Sequence, residues 1–303
     1  MNGGIKKRIR FIKAMNYGFA VVGLLSTFVG LILLGTLLLD LFMDGRERLT
    51  YSFLTSFPSR FAEEAGILSA LVGSFLILVV TAAAAIPLGI AAGIFLEEYA
   101  PKNWFTDIVE INIANLAGVP SIVYGLLALG LFVYALKLGQ SILTGGLTLA
   151  LLILPMVIMA TREAIRAIPN AIREGSYAVG ASKWQTVQYH ILPYSTGGIL
   201  TGIIIGLSRA IGETAPLITI GSLTFIAFLP ESPISAEYPF ISFQWLSAPF
   251  TVLPIQMFNW VSRPQPEFQI NAAAAGVILM LMTLLMNGLA IYIRYQFRKK
   301  IKW

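Results

Sequence analysis

The sequence predicts an all-α integral membrane protein with six transmembrane helices and both termini on the cytoplasmic side. Three observations carry this. Of 303 residues, 57% are hydrophobic and 12% charged, and the mean hydropathy is +0.79, far too apolar for a soluble domain. Several apolar runs exceed the ~18 residues that mark a spanning helix. The lysines and arginines gather at the ends of those runs, so the net charge of +6 reads as topology rather than as a nucleic-acid footprint. The chain has no cysteine and a single histidine, which excludes disulfides, a thiolate metal site and a histidine cluster. No Gly-Lys pair occurs, so a P-loop of the form GxxxxGK[ST] is absent.

The chain opens with a basic tail, 1–16, holding Lys6, Lys7, Arg8, Arg10 and Lys13. The apolar run that follows, about 17–39, is too long for the ~7–15-residue core of a signal peptide and becomes the first helix. An external loop leads to helix two, about 67–96, with Pro87 inside it. Helix three, about 107–136, carries Asn112, Asn115 and an interruption at Gly118-Val119-Pro120-Ser121. Helix breaks at membrane depth line a cavity or bury their loose backbone against protein. Helix four occupies about 142–160.

A polar insert follows at about 161–193. Pro169 suits a first helical turn, and Gly180 is a helix stop. Ser182-Lys183-Trp184-Gln185 fits a capping box, so two short helices with a bend at Gly180 are expected. Pro193 marks the start of helix five, about 195–220. The excursion 222–270 is rich in proline (Pro230, Pro233, Pro239, Pro249, Pro254, Pro264, Pro266) and aromatics, and Phe243, Trp245, Phe250, Phe258 and Trp260 suit an interfacial belt. Helix six, about 272–293, begins with four alanines and Gly276, small residues that admit close helix approach.

Fifteen lysines and arginines fall in the two tails, the 97–106 turn and the insert, against five in the opposite loops. The positive-inside rule therefore places the insert in the cytoplasm and 222–270 outside. The remaining basic residue is Arg209, within helix five. Glu213 follows four residues later, on the same helix face. An arginine at the bilayer centre costs at least ~2.5–3.5 kcal/mol on insertion scales. Its planar donors match an oxyanion and stay charged. The pair therefore reads either as a mutual neutraliser that pins helix five or as part of a translocation path.

Glu174-Gly175-Ser176-Tyr177-Ala178-Val179-Gly180, closing on Leu192-Pro193, resembles the EAA loop of permease subunits in bacterial ATP-binding-cassette (ABC) importers. Gly175-Ser176 replace the paired alanines, and His190 stands where isoleucine is usual; His190 reads as a packing or interfacial residue. Arg209-Ala210-Ile211-Gly212-Glu213-Thr214 and Ala117 to Gly125 resemble the phosphate-specific permease pair. Ala215-Pro216-Leu217 and Thr251 to Gln256 are closer to its A-type member.

The resemblance implies a single permease domain over 1–303 with the type I ABC importer fold, in the bacterial inner membrane. It implies a coupling role for Glu174, Gly175, Ser176, Tyr177, Ala178, Gly180, Leu192 and Pro193 against an ATPase. It implies a substrate path through Arg209, Glu213 and Thr214, with helix breaks at Pro120, Ser121 and Pro216. The implied partners are a homologous permease (PstC-like), an ATPase dimer (PstB-like) carrying ATP and magnesium, and an external phosphate-binding protein (PstS-like). The chain itself would bind no cofactor or metal and catalyse no bond chemistry. A permease for another oxyanion such as molybdate or sulfate is the same-fold alternative. A proton-coupled secondary transporter using Glu213 is the alternative of a different class.

Overall fold

The structure, a computed structural model, describes residues 2–233, 240 and 242–300. Its regular elements are all helical. In chain order they are α1 (Asn2–Gly45), α2 (Tyr51–Thr55), α3 (Leu68–Ile94), α4 (Trp104–Leu116), α5 (Ser121–Ala128), α6 (Ile142–Arg166), α7 (Asn170–Ala178), α8 (Lys183–Thr186), α9 (Leu192–Gly212), α10 (Ala215–Thr219), α11 (Leu253–Val261) and α12 (Glu267–Lys300). Wider π turns extend α3 to Tyr99 and α5 to Ala135, and a third joins α8 to α9. Among the described residues, five helices are long and apolar enough to cross a membrane, and the bent pair α4 and α5 makes a sixth.

That bent pair crosses rather than turning back. The inner ends of α3 and α6 are joined by Glu97 and Arg166. At the other end, the Ile142 amide that starts α6 donates to the Ala248 carbonyl at 3.0 Å. Residues 100–141 must therefore span the bundle.

Three membrane helices outrun the lengths expected from hydropathy. α1 continues through the whole basic tail, because lysine, arginine and methionine are good helix formers and no proline intervenes. α12 and α6 overrun likewise, so 161–166 belongs to a membrane helix and not to the insert. Helix three is two helices bent by 106° at the break: Pro120 supplies no amide to continue α4, and Glu110 ties α4 across the inner end of α6. Helix five ends at Gly212, because Pro216 removes the next hydrogen bond to that carbonyl and its ring crowds it. Pro216 instead occupies the first turn of α10, where a missing amide costs nothing.

α6 is the hub, packed between α3 and α9. Close approach comes from small residues: a Cβ at Gly89 would lie 2.6 Å from Val157, and one at Gly202 would lie 2.1 Å from the Ala160 Cβ. The main core joins α3, α5, α6 and α10 to Phe250, Val252 and Ile255. Those last residues come from the external excursion, which is not a loose loop. The Leu253 amide donates to Ser74 Oγ at 2.9 Å, and α11 is drawn into the outer end of the bundle. The expected aromatic belt is accordingly split: Phe250 and Trp260 are buried, while Phe243 and Phe258 are exposed. Pro239 and the rest of 234–239, with Ile241, lie outside the described residues.

Candidate functional site

Two places bring sequence-predicted residues together. The first is the inner face. α7 follows Pro169 and ends in a Schellman motif: Ala181 N–H donates to Ser176 O at 3.2 Å and Gly180 N–H to Tyr177 O at 2.9 Å. That geometry needs a left-handed residue, which Gly180 supplies at φ +87°. Ser182 and Gln185 form the expected capping box. It does not begin a separate short helix but the inner extension of α9, a continuous helical path from Lys183 to Gly212. The polar excursion is thus one helix, α7, standing off the bundle.

Glu174, Gly175, Tyr177, Ala178 and Gly180 are exposed on that excursion, and a Cβ at Gly175 would meet nothing within 4 Å. Ser176 is turned the other way, contrary to its expected place on the docking surface. It is 5% exposed, and its hydroxyl is 2.9 Å from that of Thr186. Helical spacing explains this: one residue in each turn must face the bundle. Ile165, Ile168, Val187 and Ile191, with Leu192, form the apolar seat on which α7 rests its own Ile172. Pro193 lies exposed in the first turn of α9, and His190 is exposed in the π turn before it.

The second place is the middle of the bundle. Arg209 Nε lies 3.3 Å from Glu213 Oε1, with about a third of the arginine side chain and a fifth of the glutamate left open. The Arg209 Nη1 reaches Met156 Sδ at 3.6 Å. Met156 lies about 21 Å along α6 from its outer end, so the guanidinium sits deep within a hydrocarbon core about 30 Å thick. The carboxylate follows the end of α9, in extended backbone. Thr214 occupies the same break, and its carbonyl accepts the amides of Leu217 and Ile218.

The two helix breaks face one another. α10 packs on α5 so closely that a Cβ at Gly125 would lie 1.8 Å from Thr219 Oγ1 and 2.7 Å from Pro216 Cα. Pro120 precedes α5 and Ser121 begins it. The Tyr124 hydroxyl donates to the Leu116 carbonyl at 2.7 Å, which also accepts the Val119 amide at 3.1 Å, so the side chain ties α5 to the end of α4 across the break. Two broken helices thus bring polar groups to a charge pair at membrane depth.

Reading the sequence missed a third constellation, at the inner end. Arg162 Nη2 is 2.6 Å from Glu110 Oε1, and its Nε is 3.6 Å from Glu97 Oε2. Arg166 Nη2 is 2.9 Å from the same Glu97 oxygen. Arg173 Nη2 is 2.7 Å from Glu98 Oε1, and Arg173 also donates to the carbonyls of Ile165 and Ile168. Lys183 Nζ stands 5.0 Å from the Tyr99 ring centre. The signal lay in the clash of Glu97-Glu98 with the positive-inside pattern: two carboxylates at an inner helix end need basic partners nearby.

The described helices make the chain a multi-pass membrane protein. The family of binding-protein-dependent transport system inner membrane components matches residues 85–302, and the chain belongs to that family: it is a non-catalytic ABC permease subunit that works with an ATPase and a substrate-binding protein.

Among curated relatives it is 32% identical over 282 residues to the probable ABC transporter permease protein YqgI of Bacillus subtilis, covering 92% of this chain and 94% of that one. It is 34% identical over 263 residues to the phosphate transport system permease protein PstA of Yersinia pestis, covering 85% and 80%. Among solved structures, a bacterial alginate ABC transporter superposes with a TM-score of 0.63 at 15% identity over 94% of this chain and 93% of that one. That last likeness shows the fold alone.

Proposed function

We propose that this chain is the A-type permease subunit of an ATP-driven inorganic phosphate importer. The observation that carries the reading is the Arg209–Glu213 pair, held inside the membrane at a helix break and partly open. A fixed guanidinium there offers a planar, permanently charged donor set to a phosphate oxyanion. Glu213 accepts the proton of hydrogen phosphate, or holds Arg209 when the path is empty. Relatives named as phosphate transport permeases support the substrate.

In this reading a homologous PstC-like permease supplies the other wall of the path, and a PstS-like protein delivers phosphate from outside. A PstB-like ATPase dimer, which holds ATP and magnesium, seats the exposed face of α7. Packed interfaces switch between discrete arrangements rather than yielding continuously, so a rigid helix in a cleft transmits the motor's closure. The test is uptake of labelled phosphate into vesicles containing all four components. ATP-dependent uptake that persists when the proton gradient is discharged supports the reading. Uptake that stops with the gradient while ATP remains overturns it in favour of proton coupling, and uptake of molybdate or sulfate in preference to phosphate overturns the substrate.

A further inference from the structure

Three consecutive residues at the inner end of α3 hold every part of the chain that enters or leaves the coupling excursion. Glu97 holds Arg166, at the end of α6, and stands beside Arg162. Glu98 holds Arg173, on α7 itself. Tyr99 lies under Lys183, at the start of the helix that leads back into the membrane. All three sit on one π turn, Phe95–Tyr99. π turns within helices occur frequently at functional positions.

The central contact is the least exposed. The side chains of Arg173 and Glu98 are 15% and 6% exposed, and Arg173 also donates to the backbone carbonyls of Ile165, near the α6 end, and Ile168, just beyond it, and to Asn170 Oδ1. A buried pair of this kind cannot part without leaving an uncompensated charge in a low-dielectric seat. α7 and the inner end of α3 are therefore bound to move together. The apolar seat formed by Ile165, Ile168 and Val187 fixes where α7 rests. It does not by itself prevent sliding, because apolar contact is non-directional.

We propose that Glu98 and Arg173 form a force-transmitting joint: displacement of α7 reaches the membrane path through α3, and the pair sets how much transport accompanies each hydrolysis event. Arg173 and Glu98 are positioning residues here and touch neither nucleotide nor substrate. The proposal rests on α7 being the element that meets the ATPase. From α3 the route to the path is short, since α3 packs along α6, and α6 carries Met156 against Arg209.

The experiment uses the complete transporter in proteoliposomes, with labelled phosphate uptake and ATP hydrolysis measured on the same preparation. Arg173→Met is expected to retain the ATPase on purification yet lose about fivefold or more in phosphate moved per ATP hydrolysed, the size of a typical coupling term. In a second variant, Glu98→Cys with Arg173→Cys, the chain's lack of other cysteines lets a short bifunctional thiol reagent replace the ion pair by a covalent link. Uncoupled before treatment, this variant should regain the native ratio afterwards, and it carries the test alone if Arg173→Met fails to assemble.

A third arm isolates the premise, using Gly175→Cys on the exposed face of α7 for crosslinking to the ATPase. No crosslink removes the coupling reading, and the joint with it. A crosslink together with a native uptake-to-hydrolysis ratio in Arg173→Met, or no recovery in a fully bridged cysteine pair, overturns the joint alone.

Discussion

Arg209 Nε stands 3.3 Å from Glu213 Oε1 although the helix carrying the arginine has already ended at Gly212. The pair thus spans a helix end and ties α9 to the residue that follows it. If the two charges only neutralise each other, Arg209→Met with Glu213→Gln leaves no lone charge in the membrane and should transport normally. We expect the opposite. The double variant should assemble in normal yield and lose phosphate uptake by about tenfold or more, the scale of hydrogen bonds to a charged group. Arg209→Lys, which keeps charge but not the planar fork, should fall between. Uptake and complex yield measured together check this, and substantial transport by the double variant would refute a direct role for Arg209.

Gly125 is the point at which the two broken helices touch. Gly125→Leu would force its side chain into Thr219 and Pro216, with an expected cost of about 1–3 kcal/mol for overpacking. The midpoint of thermal unfolding in detergent should drop, and uptake should fall even in the folded fraction. Gly212→Ala, where an added Cβ meets nothing within 4 Å, is the matched control and should change neither.

The Schellman turn at Gly180 predicts two separable effects. Gly180→Ala places a Cβ at φ +87° and should loosen the end of α7 at a cost of about 1–2 kcal/mol, with ATPase co-purification reduced. Gly180→Arg adds a long charged side chain to the exposed face and should abolish co-purification while the permease still inserts. Undiminished co-purification and transport in Gly180→Arg would remove α7 as the docking element.

Sidedness can be read with single cysteines. Ser247→Cys should react with an impermeant thiol reagent from outside, and Lys102→Cys should react only in opened or inverted membranes. The reverse pattern would invert the orientation and place α7 away from the ATPase.

Much of this architecture was legible from local signals. The Gly180 stop and the Ser182–Gln185 capping box depend on residues within one turn of each other, so spacing alone reveals them. Arg209 and Glu213 were visible as a pair because four residues separate them, and Pro216 hinted at the break between them. The inner joint was not legible in that way: Glu97 meets Arg166 across 69 residues and Glu98 meets Arg173 across 75. No periodicity connects such distant positions. The 106° bend was hidden for the same reason. Pro120 announces a break but not its angle, and the Glu110–Arg162 contact that holds α4 joins another helix. Ser176 shows a further limit, since a motif gives the order of residues and not which of them face the bundle.

α1 crosses with none of its apolar span buried within the chain, and its closest approach to the rest is near Gly45, where a Cβ would lie 2.6 Å from the Ala274 amide nitrogen on α12. α1 therefore closes against α12, a helix made much later than itself. At about 5–20 residues per second, the roughly 230 residues between those contacts take on the order of ten to fifty seconds to synthesise. During that interval α1 is a solitary hydrophobic rod. Lipid or another chain must shelter it, and a nascent chain stalled before residue 274 leaves α1 unclaimed for the membrane's quality-control proteases.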